Sequence, residues 1–572
     1  MEELLHNMLK VDMATLTVSA EKLPEAYRRL GGRSLSSRYI YDNVPPQAEP
    51  LGPNNQLVLT CGHLAGTTVS CANRLSVGAK SPLTGGIKES NAGGVAAYKM
   101  GRLGLRLIAV AGIREDDAWY ILLVRRDGAE LVRADDLAGR SLTDKARLLT
   151  ERYGDKIAMT LIGPAGEKRL LTAGVASSDL EGVPARFSGR GGLGAVMGAK
   201  HLLGVVFDDA GCQPAKPADP QAFAATVKEF HGLLLANPQT AEIFPKYGTA
   251  AMVDTTNSLG GLPTRNFSTG AHPGAAKING AALHQTITER GGAGRPTHAC
   301  MPGCLVRCSN IFPDREGKML VTPLEYETIG LLGSNLDIDD LDTIAAMNRI
   351  CNDYGVDTIE IGCAIGVAME AGVLPFGDRR AALKLMKEVA DDSYLGRIIA
   401  SGATVAGKVF GIRRVPAVKG QGMAAYEPRA VKGTGVTYMT TPMGADHTAG
   451  NVVRANLKHH LKDQQVPTSQ GAQLGMSMID GLGFCMMIAP ALKDRTLLAD
   501  MISAYHGWQL SLADLETAAR DTLLLEKKFN SQAGLTLAHD RLPEHFYTEE
   551  NPVSKSRFDI GDADISDMLY YK

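Results

Sequence analysis

The sequence predicts an α+β protein in which the sheet-forming residues come first and the helices follow. Residues 1 to about 207 carry short runs of β-type residues between Gly, Pro and Asn turns, whereas the chain beyond them places apolar residues at helical spacing. The stretch from Asp208-Asp209-Ala210 to Pro220 separates the two, gathering Pro, Asp, Lys and Gly directly after the apolar run that ends at Phe207. The expected organisation is an N-terminal β-rich domain over residues 1–207, a helical domain over 208–414 and a C-terminal helical domain over 415–572. A chain of 572 residues is long enough for several domains and a large shared core.

Taken in order, the expected strands include Gln56-Leu57-Val58-Leu59-Thr60, Leu105 to Val110, Tyr120 to Val124 and Ile157 to Ile162. The helical signal begins with Pro220 to Leu235. Asp339 to Asn352 has Leu341, Ile344, Met347 and Ile350 on one face, with Gly355 just past its end as a stop. Asp357 can cap a following helix, and a further helix is expected from Leu512 to Lys528. No tandem repeat of fixed period is visible, but there is a short echo. Asn352-Asp353-Tyr354-Gly355-Val356-Asp357 and Asp480-Gly481-Leu482-Gly483-Phe484-Cys485 each place a glycine three residues after a polar side chain, then an apolar residue, then a potential ligand or cap. They read either as two similar binding loops or as two unrelated helix-ending turns.

Composition narrows the class. With 60 Lys plus Arg against 62 Asp plus Glu, the net charge of -2 offers no global attraction to nucleic acid or an anionic membrane. No apolar run is long enough to span a bilayer, and Met1 to Lys10 lack the apolar core of an export signal. Nine cysteines, an odd number, suit a reducing compartment better than a disulfide framework, so a cytoplasmic protein is expected.

Three of those cysteines, Cys300, Cys304 and Cys308, fall within nine residues, and Pro302 and Gly303 between them disfavour a helix. The expectation is an irregular loop wrapped around a metal or an iron–sulfur cluster; a structural zinc and a group of reduced core thiols are the bland alternatives. A cubane cluster needs a fourth thiolate, for which Cys485 in the second echo loop is best placed. Cys61, Cys71, Cys212, Cys351 and Cys363 read as isolated. Gly189-Arg190-Gly191-Gly192-Leu193-Gly194 has dinucleotide-fingerprint spacing, but Gly182 to Ser188 do not read as the buried strand that fingerprint requires, and too few residues follow for a crossover helix. A phosphate-cradling loop is the remaining functional reading. Arg74, Lys80 to Gly86 and Ser90-Asn91-Ala92-Gly93-Gly94 combine positive charge, neutral donors and small residues, a chemistry suited to a polyanionic cofactor and equally found in plain turns. Glu325, Glu327 and Asp446-His447 are candidate acid/base groups.

Taken together these stretches, with Leu30 to Val44, Leu51-Gly52-Pro53-Asn54-Asn55, Gly191 to Gly198 and Gly444-Ala445-Asp446-His447, resemble the tungsten-dependent aldehyde:ferredoxin oxidoreductase family over nearly the whole chain. The resemblance implies a tungsten (or molybdenum) held by two pterins, a nearby [4Fe–4S] cluster and a Mg2+ ion bridging the pterin phosphates. It implies cluster ligands Cys300, Cys304, Cys308 and Cys485, and pterin loops Asn352, Gly355, Val356, Asp357 and Asp480, Gly483, Phe484, Cys485. Arg74, Asn91, Gly93, Arg190, Gly191, Gly192 and Gly194 would surround the pterin phosphates, with Asn91 near the Mg2+. Glu327 and His447 would stand beside the metal, with Glu325 a competitor for the first role. The β-rich domain would form the base for the pterins, and the two helical domains would close over it. The implied reaction is oxidation of an aldehyde with water, with electrons leaving to ferredoxin or a partner subunit in an oligomer; reduction of an acid or thioester by the same cofactor, and a non-enzymatic electron-transfer subunit, are the alternatives. Two departures stand out: C-x3-C-x3-C replaces the family's C-x2-C-x3-C, and Asn352 stands where Asp is often found. The chain also ends at Tyr570-Tyr571-Lys572, earlier than the longer members.

Overall fold

The structure, a computed structural model, describes residues 7–571. The absence of an export signal rests on residues that lie largely outside this range, as does the terminal Lys572. Among the described residues no helix is long and apolar enough to cross a membrane.

Residues 7–208 form two six-stranded sheets. The first contains β1 (Asn7–Asp12), β2 (Thr17–Lys22), β3 (Leu57–Cys61), β4 (Leu75–Lys80), β5 (Ile87–Ala92) and β6 (Leu105–Ala111) in the order β2-β1-β6-β3-β4-β5. The second contains β7 (Tyr120–Arg125), β8 (Gly128–Arg133), β9 (Ala158–Leu161), β10 (Val175–Ser178), β11 (Pro184–Ser188) and β12 (Leu202–Asp208) in the order β8-β7-β12-β9-β10-β11. Adding six to each number of the first order gives the second, and the directions agree too. β1 runs parallel to β6 as β7 does to β12, and the other pairs are antiparallel in both sheets. The architecture is therefore a duplicated one. Corresponding strands begin at unequal separations (Leu57 to Ala158, Leu105 to Leu202), so no fixed period records it in the sequence.

The central strands are buried on both faces and read as continuous apolar runs, as in Leu57-Val58-Leu59-Thr60-Cys61. Leu57 and Ile108 of the first sheet share one apolar core with Ile121 and Val205 of the second. The stretch ending at Ser188, expected not to be a strand, contains β11. Pro184 is tolerated as its first residue because β11 is a sheet edge, and the buried Arg186, held by polar partners, conceals the strand from hydropathy. The helix after it, Leu193–Ala199, has only 7 residues, and β10 and β9 separate β11 from β12. That is not a dinucleotide-binding crossover.

The remainder is mainly helical, as expected. Asp219 caps Pro220–Ala236, Asp340 caps Leu341–Tyr354, Asp357 caps Thr358–Glu370, and Ser511 with Asp514 closes a capping box on Leu512–Gln532. The last of these is tied to the N-terminal part by a fully buried pair. Arg33 donates through Nε and one terminal nitrogen to the Glu526 carboxylate at 2.9 and 2.7 Å, and Ser37 donates to the same carboxylate.

Candidate active site

Between the edge strands β5 and β11 and the helical part lies a cavity of about 740 Å3. Arg74, Asn91, Gly93, Arg190, Asn352, Val356, Asp357, Asp480, Cys485, Cys300, Cys308, Glu325, Glu327 and His447 all line it. Residues scattered over four hundred positions thus meet around one space.

The two echo loops are the same local structure. Each ends a helix with a glycine in the left-handed region, Gly355 at φ 85° and Gly483 at φ 77°, and in each the next residue donates back into the last turn, Val356 to Cys351 O and Phe484 to Ile479 O at 3.0 Å. The turns are therefore related in structure: the glycines end helices, while the flanking Asn352, Asp357, Asp480 and Cys485 face the cavity. Gly355 and Gly483 do not line it. They let the loops press on the sheet part, where a Cβ on Gly355 would meet Gly163 N at 2.8 Å and one on Gly483 would meet Gly62 Cα at 2.4 Å. Gly163 and Gly62 follow the corresponding strands β9 and β3, so each loop sits against the same point of its own sheet. Phe484 is buried against Phe230 instead of facing the cavity.

Gly191, Gly192 and Gly194 also lie behind the cavity wall. Gly191 approaches the Lys88 side chain, Gly192 is the left-handed cap of Leu193–Ala199, and Gly194 packs on the backbone at Gly174. Arg190 does reach the cavity. Its Nε donates to Asp357 at 3.3 Å and a terminal nitrogen donates to Ala445 O at 2.6 Å. Burial works against its charge, but Asp357, Asp446 and Glu360 outweigh that and raise its pKa. Arg74 donates to the Asn91 carbonyl at 2.7 Å and approaches Cys485 Sγ at 3.7 Å, while Asn91 donates to Asp480 at 3.1 Å. Burial pushes Asp480 and Glu89 up, the Asp480 charge raising Glu89 further and Asp446 raising Asp480, and Arg33 counters it in both.

Four thiols converge at one end. Cys308 is pushed well up by burial and then by Glu325, Cys485, Cys300 and Cys304, and Cys300 by its contact with Cys304 and by burial. Cys71, read as isolated, stands with its sulfur 3.9 Å from that of Cys304 and gives its carbonyl to the Cys485 N–H at 2.8 Å. Gly303 at φ 74° turns the loop here, as expected of the Pro-Gly pair.

Glu327 and His447 come together, His447 Nε2 lying 3.3 Å from Glu327 Oε1, with Tyr426 stacked beside the imidazole at 5.8 Å. The Ala425 N–H holds the other Glu327 oxygen at 2.7 Å, leaving Oε1 buried without a hydrogen bond. Burial raises the Glu327 pKa, His447 and the Ala425 N–H oppose it. Glu325 instead accepts from Thr249 and acts on Cys308, so geometry separates the two glutamates. Sequence reasoning passed over Lys88, Glu89, Arg186, Tyr426 and Arg454. Lys88, fully buried and paired with Asp446, had one signal: a lysine inside a strand beside Ser90-Asn91.

The family models for aldehyde ferredoxin oxidoreductase match the chain throughout, the N-terminal domain over residues 8–209 and domains 2 and 3 over 225–572. The chain belongs to the aldehyde ferredoxin oxidoreductase family. It is 30% identical to the tungsten-containing aldehyde ferredoxin oxidoreductase of Pyrococcus horikoshii over 99% of this chain and 95% of that one. It is also 30% identical to that of Thermococcus kodakarensis, with the same coverage. Among solved structures, the active site complex BamBC of benzoyl coenzyme A reductase in complex with 1,5-dienoyl-CoA shares the fold at TM-score 0.81 and 18% identity, over 100% of this chain and 94% of that chain. An oxidoreductase family with a shared α+β architecture accounts for the whole chain, and the reading as a non-enzymatic subunit falls.

The donor sets suit the groups of an aldehyde ferredoxin oxidoreductase. Four clustered thiols whose pKa values are all raised can be deprotonated together only against a cationic partner, as an iron–sulfur cluster provides. The cavity has the volume for a large polar cofactor, and its walls leave Glu89 Oε1, Arg186 Nε, Glu327 Oε1 and His447 Nδ1 buried without hydrogen bonds.

Proposed function

We propose that this protein oxidises aldehydes with water to carboxylic acids at a tungsten (or molybdenum) site held by two pterins. The two electrons leave through a [4Fe–4S] cluster to ferredoxin or a partner subunit. The observation that carries the reading is the Glu327–His447 pair, 3.3 Å apart, in the same cavity as the converging cysteines. Cys300, Cys304, Cys308 and Cys485 would hold the cluster. Asn352, Val356 and Asp357 would bind one pterin and Asp480 with Cys485 the other, with Arg74, Arg190, Asn91 and Gly93 near their phosphates and a bridging Mg2+. On this reading residues 1–207 are the base, and 208–414 and 415–572 close over it.

A bound metal would supply the two-electron acceptor. The chain's own groups handle protons and placement. RCHO plus water gives RCOOH, two protons and two electrons. Glu327 Oε1, free of other hydrogen bonds, takes the proton from the attacking water. The N–H of His447 on Nε2 lies where it can donate to the carbonyl oxygen and polarise the carbon. The fixed Ala425 N–H and the stacked Tyr426 ring hold the two groups in register. Arg74, touching both Asn91 and Cys485, ties the cofactor side of the cavity to the cluster side.

Metal analysis of anaerobically purified protein, with aldehyde-dependent reduction of a low-potential dye, tests the proposal. About one tungsten and about four irons per chain are expected. Iron without tungsten, molybdenum or pterin, or loaded protein inert towards every aldehyde, would sink it.

A further inference from the structure

A fifth thiol adjoins the four that the proposed cluster would use. Cys71, buried in the same apolar core as Met301, Cys304 and Phe484, places its sulfur 3.9 Å from Cys304 Sγ. Other buried thiols turn to the backbone: Cys61 donates to the Leu105 carbonyl and Cys363 to the Met423 carbonyl, each at 3.3 Å. Cys71 has no carbonyl acceptor among the described residues; its partners are Cys304 Sγ and, at 3.5 Å, Ser70 Oγ. The segment carrying Cys71 is held to the cysteine loop on both sides of Cys304. Ser70 Oγ accepts from the Leu305 N–H at 3.0 Å, and Gly303 lies so close that a Cβ on it would meet Thr68 O at 2.3 Å.

The backbone does not need a thiol there. Arg74 N–H donates to Gly483 O as Gly174 N–H does to Gly355 O, at 3.2 and 3.0 Å, so the two halves of the duplicated architecture hold their left-handed glycines alike. Two residues past each glycine, Cys485 N–H donates to Cys71 O and Asp357 N–H to Thr172 O. A threonine thus fills the same backbone role, and its hydroxyl turns to the Ala400 carbonyl. Cys71 also stands at φ 63°, where a residue with a Cβ is strained by about 1 to 2 kcal/mol and glycine is not. A cysteine in that conformation, its sulfur against a cysteine of the cluster loop, contributes through the sulfur.

We propose that Cys71 sets the reduction potential of the cluster by donating its S–H to Cys304. This rests on the cluster reading above. A ligating Cys304 is a thiolate and can only accept, so the proton between the two sulfurs belongs to Cys71. Reduction adds one electron, whose charge is shared by the ligand sulfurs; a donated S–H offsets that charge and raises the potential. The electron is later passed on, no bond to Cys71 forms or breaks, and its proton stays on the sulfur. Electrons leaving the aldehyde, one at a time, therefore meet a cluster that is easier to reduce.

Redox titration of the anaerobically purified holoenzyme, followed by electron paramagnetic resonance of the reduced cluster, tests this without turnover. Cys71→Ala and Cys71→Gly should keep about four irons per chain while the reduction equilibrium constant falls at least about threefold, a drop of about 28 mV at about 59 mV per tenfold for one electron. Cys71→Ser keeps a donor in place and should retain most of the wild-type potential. Cys71→Gly removes the thiol and the left-handed strain together, which separates the effect of the sulfur from any loss of folding. An unchanged midpoint in iron-loaded Cys71→Ala and Cys71→Gly overturns the role of Cys71 and leaves the cluster reading standing. Loss of iron from both overturns it as well, by making Cys71 a ligand or a support of the loop. A wild type that holds no iron sinks the cluster reading, and the role of Cys71 with it.

Discussion

At the scale of single residues, burial and partners set the charge of two side chains beside the cavity. Glu327 has one oxygen satisfied by the Ala425 N–H and the other aimed at His447. Its raised pKa follows from burial, which disfavours the carboxylate. As a base it must be ionised, so kcat/KM should fall as pH drops through a pKa above the usual carboxylate range, and a profile flat well into the usual range would contradict that role. Glu327→Gln should keep metal, pterin and iron contents while lowering kcat about 100-fold or more, the scale of a lost general base. Turnover within a few-fold of wild type would remove Glu327 from the mechanism. Asp446 shows the opposite balance: despite burial, Lys88, Arg190 and His447 hold its carboxyl far below the usual range. Lys88→Met should therefore leave a buried carboxylate without its nearest cation and lower stability by about 3 to 5 kcal/mol, read as a fall in the denaturation midpoint.

At the scale of elements, two helix ends do the positioning. Each reverses through a left-handed glycine, and the reversal carries a polar residue from the last helical turn and another from just past the glycine to the same cavity. The glycine is needed twice over, for its φ and for contact with a glycine at the end of β3 or β9. Gly483→Ala strains the backbone and drives a methyl into Gly62, so a loss of about 1 to 3 kcal/mol is expected. Iron content should fall with it, because Cys485 rides on the displaced loop. A variant with wild-type iron and thermal midpoint would show that the loop can shift without moving the cysteine. The loop of Cys300, Cys304 and Cys308 has the extra residue noted in its spacing, and it packs against a strand-end loop bearing Cys71, a contact that nothing in the local spacing indicates.

At the scale of the whole molecule, a duplicated pair of sheets is clasped by helices from the far end of the chain. The Arg33–Glu526 pair joins the helix Gly32–Asn43 to Leu512–Gln532 across 493 residues and is buried on both sides. Arg33→Ala should lower the thermal midpoint markedly, by about 3 to 5 kcal/mol in stability, whereas the double replacement Arg33→Met with Glu526→Leu should lose much less, because no charge is left unpaired. Equal losses would mean that the pair contributes by packing alone.

The sequence by itself determined most of the helices and offered Glu325, Glu327 and His447 as candidate acid/base groups. Periodicity located Pro220–Ala236, Leu341–Tyr354 and Leu512–Gln532 to within a few residues, and Asp357 and Gly355 marked a cap and a stop, because capping and period are local physics. Three cysteines in nine residues were legible for the same reason. The tertiary structure alone decided what lies opposite what. It separated Glu327 from Glu325, brought Cys71 to Cys304, moved Gly191, Gly192, Gly194, Gly355, Gly483 and Phe484 from the cavity into its supports, and revealed the strand at Pro184–Ser188. It also revealed the duplicated sheets, since strand order arises between residues far apart in the sequence, which local spacing along the chain does not record.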